Sequence, residues 1–318
     1  MRASLFASSM ESSEPYSMRQ SSRKVAIPCA VALLICAACR ETPQQTAADS
    51  SKVGTKAPVA AVIPFRVPAE SEIKDSVTLA SIRRGRALIH NTRDSLPAHV
   101  GARLACGSCH VNDGTVADAM PLVGAYTRFP QYRGRSGKVD LLEDRINDCL
   151  ERSMNGKALD LKAQDMHDMV TYMAFLSRGF PPGSEMQGQG VPKLDPLKGD
   201  TARGRQIFAV TCVACHGADG NGSAVDPPLW GPHSFNIGAG MARRNTAAEY
   251  IHKMMPQNKP GTLTPQQAFD LAAYVTTRPR PDFPGKERDW PHGGAPSDVA
   301  YPTLAARNAS GTQAPGGR

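Results

Sequence analysis

Two short clusters of cysteine and histidine carry the clearest chemistry in this sequence. Each reads C-x-x-C-H, at positions 106–110 and 212–216. In this motif the two thiols can form thioether bonds to the vinyl groups of a haem, and the adjacent histidine can coordinate the iron. The spacing therefore predicts two covalently bound haem c groups. The predicted attachment residues and iron ligands are Cys106, Cys109, His110, Cys212, Cys215 and His216.

A C-x-x-C pair can serve two other functions. A zinc knuckle needs two further ligands at compact spacing for each pair, and the sequence offers none. A thioredoxin-like redox pair belongs to a βαβ context, and no strand-like alternation of any length is visible. Both alternatives are therefore weaker than haem attachment.

One cysteine, Cys149, has no evident partner in the sequence. It lies as far beyond His110 as Met255 lies beyond His216. This equivalence predicts that Cys149 is the second axial ligand of the first iron and Met255 that of the second. The alternatives are a small buried cysteine, a methionine that only packs in the core, or ligation by a neighbour of Met255. Those neighbours are Met254, Lys253 and His252.

Basic residues surround Cys149. Residues 139–160 are predicted to be helical, which places Arg145, Cys149 and Ser153 on one face. Other basic residues lie nearby, at Arg133, Arg135, Lys138 and Lys157. Guanidinium groups bind oxyanions through paired hydrogen bonds, and a thiolate is the nucleophile of sulfur exchange. The pattern predicts oxidation of an anionic sulfur compound, and its plain alternative is a solvated basic face.

An internal repeat shows which elements must position these residues. RGRALI begins at Arg84 and RGRQIF at Arg203; a haem motif follows each, then PLVG from Pro121 or PLWG from Pro228. Each repeat ends in an amphipathic stretch that predicts a helix, at 166–178 and 265–278. We therefore predict an all-α protein of two similar domains.

The sequence predicts six segments. They are an export signal (1–38), a flexible tether (39–75), a first domain (76–182), a linker (183–197), a second domain (198–280) and a Pro/Gly-rich extension (281–318). The signal consists of basic residues followed by the apolar run 25–39, and Met18 is the more typical start. Its end, CAAC, predicts lipid attachment at Cys39, with ordinary cleavage nearby as the alternative. The predicted location is the periplasm, with a lipid anchor to a membrane.

Composition narrows the classes of partner. The chain has 318 residues, 41% of them hydrophobic, and a formal net charge of +8. This balance is typical of a globular protein, and the dense basic and aromatic patterning of a nucleic-acid binder is missing. We therefore expect no nucleic-acid partner.

The haem motifs and the repeat around them resemble class I cytochrome c domains over most of residues 76–280. That resemblance implies two tandem domains of this fold, each wrapped around one haem. It also implies a proline after each haem motif whose carbonyl accepts a hydrogen bond from the ligand histidine. Pro121 and Pro228 occupy the expected places.

Three stretches carry a closer resemblance, over residues 76–300, to dihaem thiosulfate dehydrogenases, which are related to the SoxA cytochromes. They are INDCLERSMNGKAL around Cys149, HKMMPQNKPGTLTPQQAFDLAAYV around Met255, and DFPGKERDWPHGG in the extension. The resemblance implies that two thiosulfates are joined into tetrathionate, with the reverse reaction open. It implies electron transfer from a His110/Cys149 haem to the second haem and on to an external acceptor, a small cytochrome or another periplasmic redox protein.

The same resemblance implies that Arg135, Arg145 and Ser153 bind substrate beside Cys149. The family often has lysine or asparagine directly before the ligand methionine, whereas this chain has Met254 there. Two other functions remain open from the sequence. One is a dihaem electron carrier without substrate chemistry, and the other is a SoxA-like subunit that acts with a partner cytochrome.

Overall fold

The computed structural model describes residues 62–309. The predicted export signal, the candidate lipidation site Cys39 and the greater part of the predicted tether lie outside the described residues. Among the helices within 62–309, none has the length and apolar character needed to span a membrane.

The described chain is mainly helical, which confirms the predicted fold class. The helices are α1 (Ser76–His90), α2 (Thr92–Ser95), α3 (Val111–Gly114), α4 (Leu142–Arg152), α5 (Gln164–Leu176), α6 (Thr201–Thr211), α7 (Val213–His216), α8 (Arg244–Met254), α9 (Pro265–Thr276) and α10 (Leu304–Ala309). Single 3-10 turns lie at Glu70–Glu72, Cys106–Ser108, Tyr126–Arg128, Gly240–Ala242 and Lys286–Arg288. A short antiparallel hairpin, which the sequence pattern did not predict, pairs β1 (Gln131–Arg133) with β2 (Lys138–Asp140).

The repeat appears in the structure as two equivalent helix pairs, α1 against α5 and α6 against α9. A glycine lies at the contact in each pair. A Cβ atom at Gly85 would lie 2.0 Å from the carbonyl oxygen of Asp168, and one at Gly204 would lie 2.0 Å from that of Asp270. Only glycine allows the two backbones to approach so closely.

The arginine before each glycine fastens the same contact. Arg84 Nε donates to Asp168 at 2.7 Å, and Arg203 Nε donates to Asp270 at 2.8 Å. Both carboxylates are buried although their partners are half exposed. The repeated Arg-Gly pair is therefore a helix-packing device.

The sequence placed the two long amphipathic helices correctly, as α5 and α9, but the helix predicted over 139–160 is too long. Its first residues belong to β2, and α4 begins where the Asp144 side chain accepts from the Leu141 backbone N–H at 2.9 Å. The helix ends at Arg152, and Asn155 turns the chain away with a φ of 47°. Ser153 caps α4 and remains one turn beyond Cys149.

The two halves meet within one compact unit. The Arg103 N–H donates to the His233 carbonyl at 2.8 Å, and the Asn236 N–H donates to the Arg152 carbonyl at 3.2 Å. After α9 the extension returns to the first half, where the Trp290 N–H donates to the Arg135 carbonyl at 2.9 Å. These contacts bring distant segments together around α4.

Candidate haem sites and anion cavity

The first haem motif folds as the 3-10 turn Cys106–Ser108, which ends at Cys109. Burial raises the pKa of the Cys106 and Cys109 thiols to about 12, and the charge of Cys149 acts in the same direction on both. The fold therefore brings Cys149 close to the motif although it is remote from it in sequence.

His110 is held in the form that can bind iron. Burial lowers its pKa to about 4, so that the ring is neutral at physiological pH. Its Nδ1 lies 2.5 Å from the carbonyl oxygen of Met120, an acceptor only, which assigns the ring proton to Nδ1. The lone pair of Nε2 is then available to a metal.

The second motif repeats this arrangement. His216 is buried, and its Nδ1 lies 2.9 Å from the carbonyl oxygen of Pro227. Burial, followed by the charge of Cys215, raises the pKa of the Cys212 thiol to about 11. The two halves therefore present the same donor set.

The expected acceptors, Pro121 and Pro228, are wrong by one residue. The histidines meet the carbonyls of Met120 and Pro227, the residues before these prolines. Each proline supplies the nitrogen of the same peptide group. Because that nitrogen carries no hydrogen, the group can present only an acceptor to the ring.

These donor sets fit haem c, which needs two thiols for the thioether bonds and one neutral imidazole for the iron. A buried donor without a partner near His110 also fits a site for a bound group such as haem c. Arg128 lies close enough to lower the pKa of His110, and its buried Nε has no hydrogen-bond partner among the described residues. The zinc alternative needs a cluster of side-chain ligands, and within residues 62–309 no three His, Cys, Asp or Glu side chains lie together in that way.

The candidates for the second iron's other ligand lie at the end of α8. Met255 follows the helix and is partly buried, whereas Met254 is 8% exposed and packs with Tyr250. Lys253 Nζ forms an ion pair with Asp118 at 2.9 Å. The Nδ1 of His252 lies 2.7 Å from the Leu263 carbonyl. Met255 remains the predicted ligand.

Cys149 lies in contact with an arginine from its own helix. Arg145 Nη1 is 2.6 Å from the Cys149 sulfur, one helical turn away on α4. The charge of Cys149 is the main cause that raises the pKa of Arg145. Arg145 and Cys149 therefore share one face of α4, as predicted, and the guanidinium lies against the sulfur.

A cavity of about 280 Å³ opens beside this pair. Its lining consists of Arg133, Gly134, Arg135, Arg145, Asp148, Arg152, Ser153, Gly240, Arg243, Trp290 and Pro296. The fold thus brings together the three predicted substrate residues, Arg135, Arg145 and Ser153. Two other basic residues are not part of the lining: Lys138 pairs with Asp144 at 3.3 Å, and Lys157 is exposed.

The cavity is strongly positive. Its described lining includes five arginines and one carboxylate, that of Asp148. Burial acts to raise the pKa of Asp148, but the guanidinium groups of Arg145, Arg152, Arg135 and Arg133 outweigh it and lower the pKa. Asp148 therefore stays ionised and organises the arginines, which still outnumber the carboxylates that pair with them.

The extension closes one side of the cavity. Asp289, which is 2% exposed, accepts two hydrogen bonds from Arg152, at 2.8 and 2.7 Å, and one from the Tyr301 hydroxyl. The Arg135 guanidinium lies 4.7 Å from the centre of the Trp290 ring, and its Nη1 donates to the Gly238 carbonyl at 2.7 Å. These contacts hold two of the arginines in place.

Sequence reasoning missed several lining residues. Arg152 could have been found, because it follows Cys149 by three positions on the same helix. Arg243 comes from the second half and Trp290 from the extension. No local pattern connects either residue with Cys149.

Fold and site together define a two-domain c-type cytochrome that binds haem c. Family models agree with each half: SoxA/TsdA, cytochrome c domain, matches residues 98–181, and Cytochrome c matches residues 201–279.

Longer matches to individual proteins indicate a more specific family. The chain is 44% identical over 242 residues to thiosulfate dehydrogenase of Psychrobacter arcticus, covering 74% of each chain. It is 44% identical over 232 residues to thiosulfate dehydrogenase of Allochromatium vinosum, covering 70% of this chain and 86% of that one. The chain belongs to the thiosulfate dehydrogenase family.

A solved structure supports this assignment. Thiosulfate dehydrogenase (TsdBA) from Marichromatium purpuratum, in its as isolated form, has a TM-score of 0.67 and 36% sequence identity. The match covers 71% of this chain and 52% of that one, so this chain spans about half the length of that protein.

Proposed function

We propose that the chain oxidises thiosulfate to tetrathionate. Two thiosulfate dianions are joined by a bond between their outer sulfurs, which gives one tetrathionate dianion and releases two electrons. The observation that carries this proposal is the arginine-rich cavity next to Cys149 in the first haem domain. Positive charge lowers the repulsion between two dianions that must approach each other. The family relatives named thiosulfate dehydrogenase support the same assignment.

The cavity residues have distinct roles in this proposal. Arg145 and Arg135 donate to sulfonate oxygens, and the Ser153 hydroxyl adds a neutral donor. Arg145 also holds the Cys149 sulfur in position. A disulfide-type bond forms between Cys149 and the outer sulfur of the first thiosulfate as two electrons leave. The second thiosulfate then displaces the Cys149 thiolate and forms tetrathionate.

We assign one covalent haem to each domain, held by His110 and Cys149 in the first and by His216 and Met255 in the second. When bound, the haems supply two one-electron redox centres through which both electrons can reach an external acceptor, a small cytochrome or another periplasmic redox protein. The carbonyls of Met120 and Pro227 fix the two histidine tautomers for this role.

We further propose that the chain is exported to the periplasm and anchored by a lipid at Cys39. The basic residues and the apolar run at 25–39 support this location, as does the need to attach haem c outside the cytoplasm. Mass spectrometry of the mature N-terminus tests it: a diacylglycerol-modified Cys39 supports anchoring, and an unmodified N-terminus elsewhere contradicts it.

The proposed activity is tested by mixing the purified, haem-loaded chain with thiosulfate and ferricyanide. Ferricyanide should be reduced, with tetrathionate formed in half the amount of thiosulfate consumed. The Cys149→Gly variant is the control: it should retain both haems and lose this activity, because the reactive sulfur is gone.

Other outcomes point to the other functions. Activity that appears only after a partner cytochrome is added indicates a SoxA-like subunit. Haems that exchange electrons with small cytochromes but never with thiosulfate indicate an electron carrier. Near-normal turnover by Cys149→Gly contradicts the role given to that sulfur.

A further inference from the structure

Arg243 has fewer partners than the other arginines of the cavity. Arg133 and Arg145 each lie 3.5 Å from Asp148, and Arg152 pairs with Asp289. Arg135 has no ion pair among the described residues, but its Nη1 donates to the Gly238 carbonyl at 2.7 Å. Arg243 likewise has no ion pair within residues 62–309, and its buried Nε has no hydrogen-bond partner there. A buried donor without a partner is costly, so a cavity ligand that accepts from it would recover that free energy.

Arg243 also comes from a different part of the chain. It precedes α8 in the second half, directly after the turn Gly240–Ala242, whereas Arg145 belongs to α4 in the first half. Gly240 accompanies it in the cavity lining. The second cytochrome domain therefore contributes a cation to the cavity of the first.

The proposed reaction requires two anion subsites in one cavity. The first sulfonate must lie near Arg145, because that guanidinium contacts the Cys149 sulfur. The second thiosulfate brings another sulfonate, which must be bound away from the first because both are negatively charged. Carboxylates partly neutralise Arg145 and Arg152, since Arg145 lies near Asp148 and Arg152 pairs with Asp289. No carboxylate among the described residues pairs with Arg243.

We propose that Arg243 binds the sulfonate of the second thiosulfate and the corresponding end of tetrathionate. This inference rests on the proposed function and extends it, because it makes the substrate site a product of both domains. A guanidinium can donate two parallel hydrogen bonds to two sulfonate oxygens, which fixes the direction of the outer sulfur as well as its distance. Arg243 is therefore a substrate-binding residue for the second reactant.

The test is the Arg243→Gln variant of the haem-loaded chain, assayed with thiosulfate and ferricyanide. The thiosulfate concentration that gives half the maximal rate should rise about 10- to 100-fold, the loss expected for a charged hydrogen-bond donor. Arg243→Lys should recover part of this loss, since it restores the charge without the fork. The matched control is Arg244→Gln, because Arg244 is exposed and not part of the lining.

A second measurement does not depend on turnover. Tetrathionate should raise the melting temperature of the haem-loaded wild type and of Arg244→Gln, and raise that of Arg243→Gln much less. If wild type shows this shift but no oxidation of thiosulfate, the proposed function fails and the subsite stands. Equal kinetics and equal shifts in the Arg243→Gln and Arg244→Gln variants overturn the subsite. A changed haem absorption spectrum in substrate-free Arg243→Gln also overturns it, because Arg243 would then act on a haem.

Discussion

At the scale of single residues, the most consequential contact is that between Arg145 and Cys149. A separation of four positions on a helix is enough to bring the two side chains together, so the contact depends on local structure alone. Arg145 Nη1 also lies 3.5 Å from Asp148, so the same guanidinium contacts a sulfur and a carboxylate at the cavity wall. In the proposed function this one side chain links the reactive sulfur to substrate binding.

Replacing Arg145 tests this link. Arg145→Ala should lower kcat/KM for thiosulfate about 10- to 100-fold, because a charge-assisted hydrogen bond to the substrate is lost. Steady-state reduction of ferricyanide measures it. Lys157→Ala is the control, since Lys157 is basic but exposed and not part of the cavity lining. Equal kcat/KM values for the two variants would reduce Arg145 to part of a solvated basic face.

At the scale of elements, the extension after α9 is a structural part of the cavity. Asp289 and the ring of Trp290 are both buried, and together they contact Arg152 and Arg135. Both arginines are long and flexible side chains that would otherwise lose their orientation. The extension therefore acts by positioning them.

The Asp289→Asn variant measures that positioning. It should destabilise the fold by about 1–3 kcal/mol, because the Arg152 guanidinium keeps only part of its buried partner set. It should also raise the half-saturating thiosulfate concentration more than it lowers kcat, an effect that lost stability alone does not produce. Chemical denaturation and steady-state kinetics give the two values. Glu287→Gln, an exposed change in the same segment, should leave both unchanged.

The helix pair α1–α5 predicts a dependence of stability on pH. Burial acts to raise the pKa of Asp168, but hydrogen bonds from Arg84, Ser81 and Gln164 outweigh it and lower the pKa. A carboxyl group whose folded pKa is depressed stabilises the fold above its unfolded pKa, about 3.9, and loses that contribution as the pH falls through the folded pKa.

The Asp168→Asn variant should therefore melt below wild type at neutral pH, and the difference should shrink under strongly acid conditions. Thermal melts of both proteins across this range are the measurement. Asp165→Asn is the matched control, since Asp165 is exposed on the same helix. A difference between Asp168→Asn and wild type that stays constant with pH would contradict the role given to the ionised carboxylate.

At the scale of the whole molecule, the two domains are alike in their haem motifs and unlike in what surrounds them. Both hold a buried or partly buried histidine by a backbone carbonyl and pack two helices through an Arg-Gly pair. The first domain contributes Cys149 and four of the five cavity arginines, whereas the second contributes Arg243. The two copies of the cytochrome c fold therefore differ in the residues that the proposed function uses.

The duplication predicts two covalent haems. The mass of the denatured, purified chain should exceed that of the polypeptide by two haem groups, because thioether bonds survive unfolding. Replacing Cys106 and Cys109 by alanine should remove one haem, and so should replacing Cys212 and Cys215. A single haem in the unaltered protein would contradict the two-domain assignment.

The sequence by itself determined the features that depend on local spacing. The haem motifs, the amphipathic helices α5 and α9, and the shared face of Arg145 and Cys149 all follow from short patterns along the chain. The repeat interval also predicts Cys149 as the second axial ligand of the first iron, and this assignment stays a prediction.

Only the tertiary structure decided which distant residues complete the cavity. Arg243 and the Asp289–Trp290 segment reach it through contacts between halves that no periodicity encodes. The same holds for the length of α4, which the hairpin shortens at its start, and for the carbonyls that meet His110 and His216. Helical periodicity relates residues a few positions apart, so it predicts the faces of single helices. The cavity is assembled by packing between segments that are remote in sequence, so its complete lining required the tertiary structure.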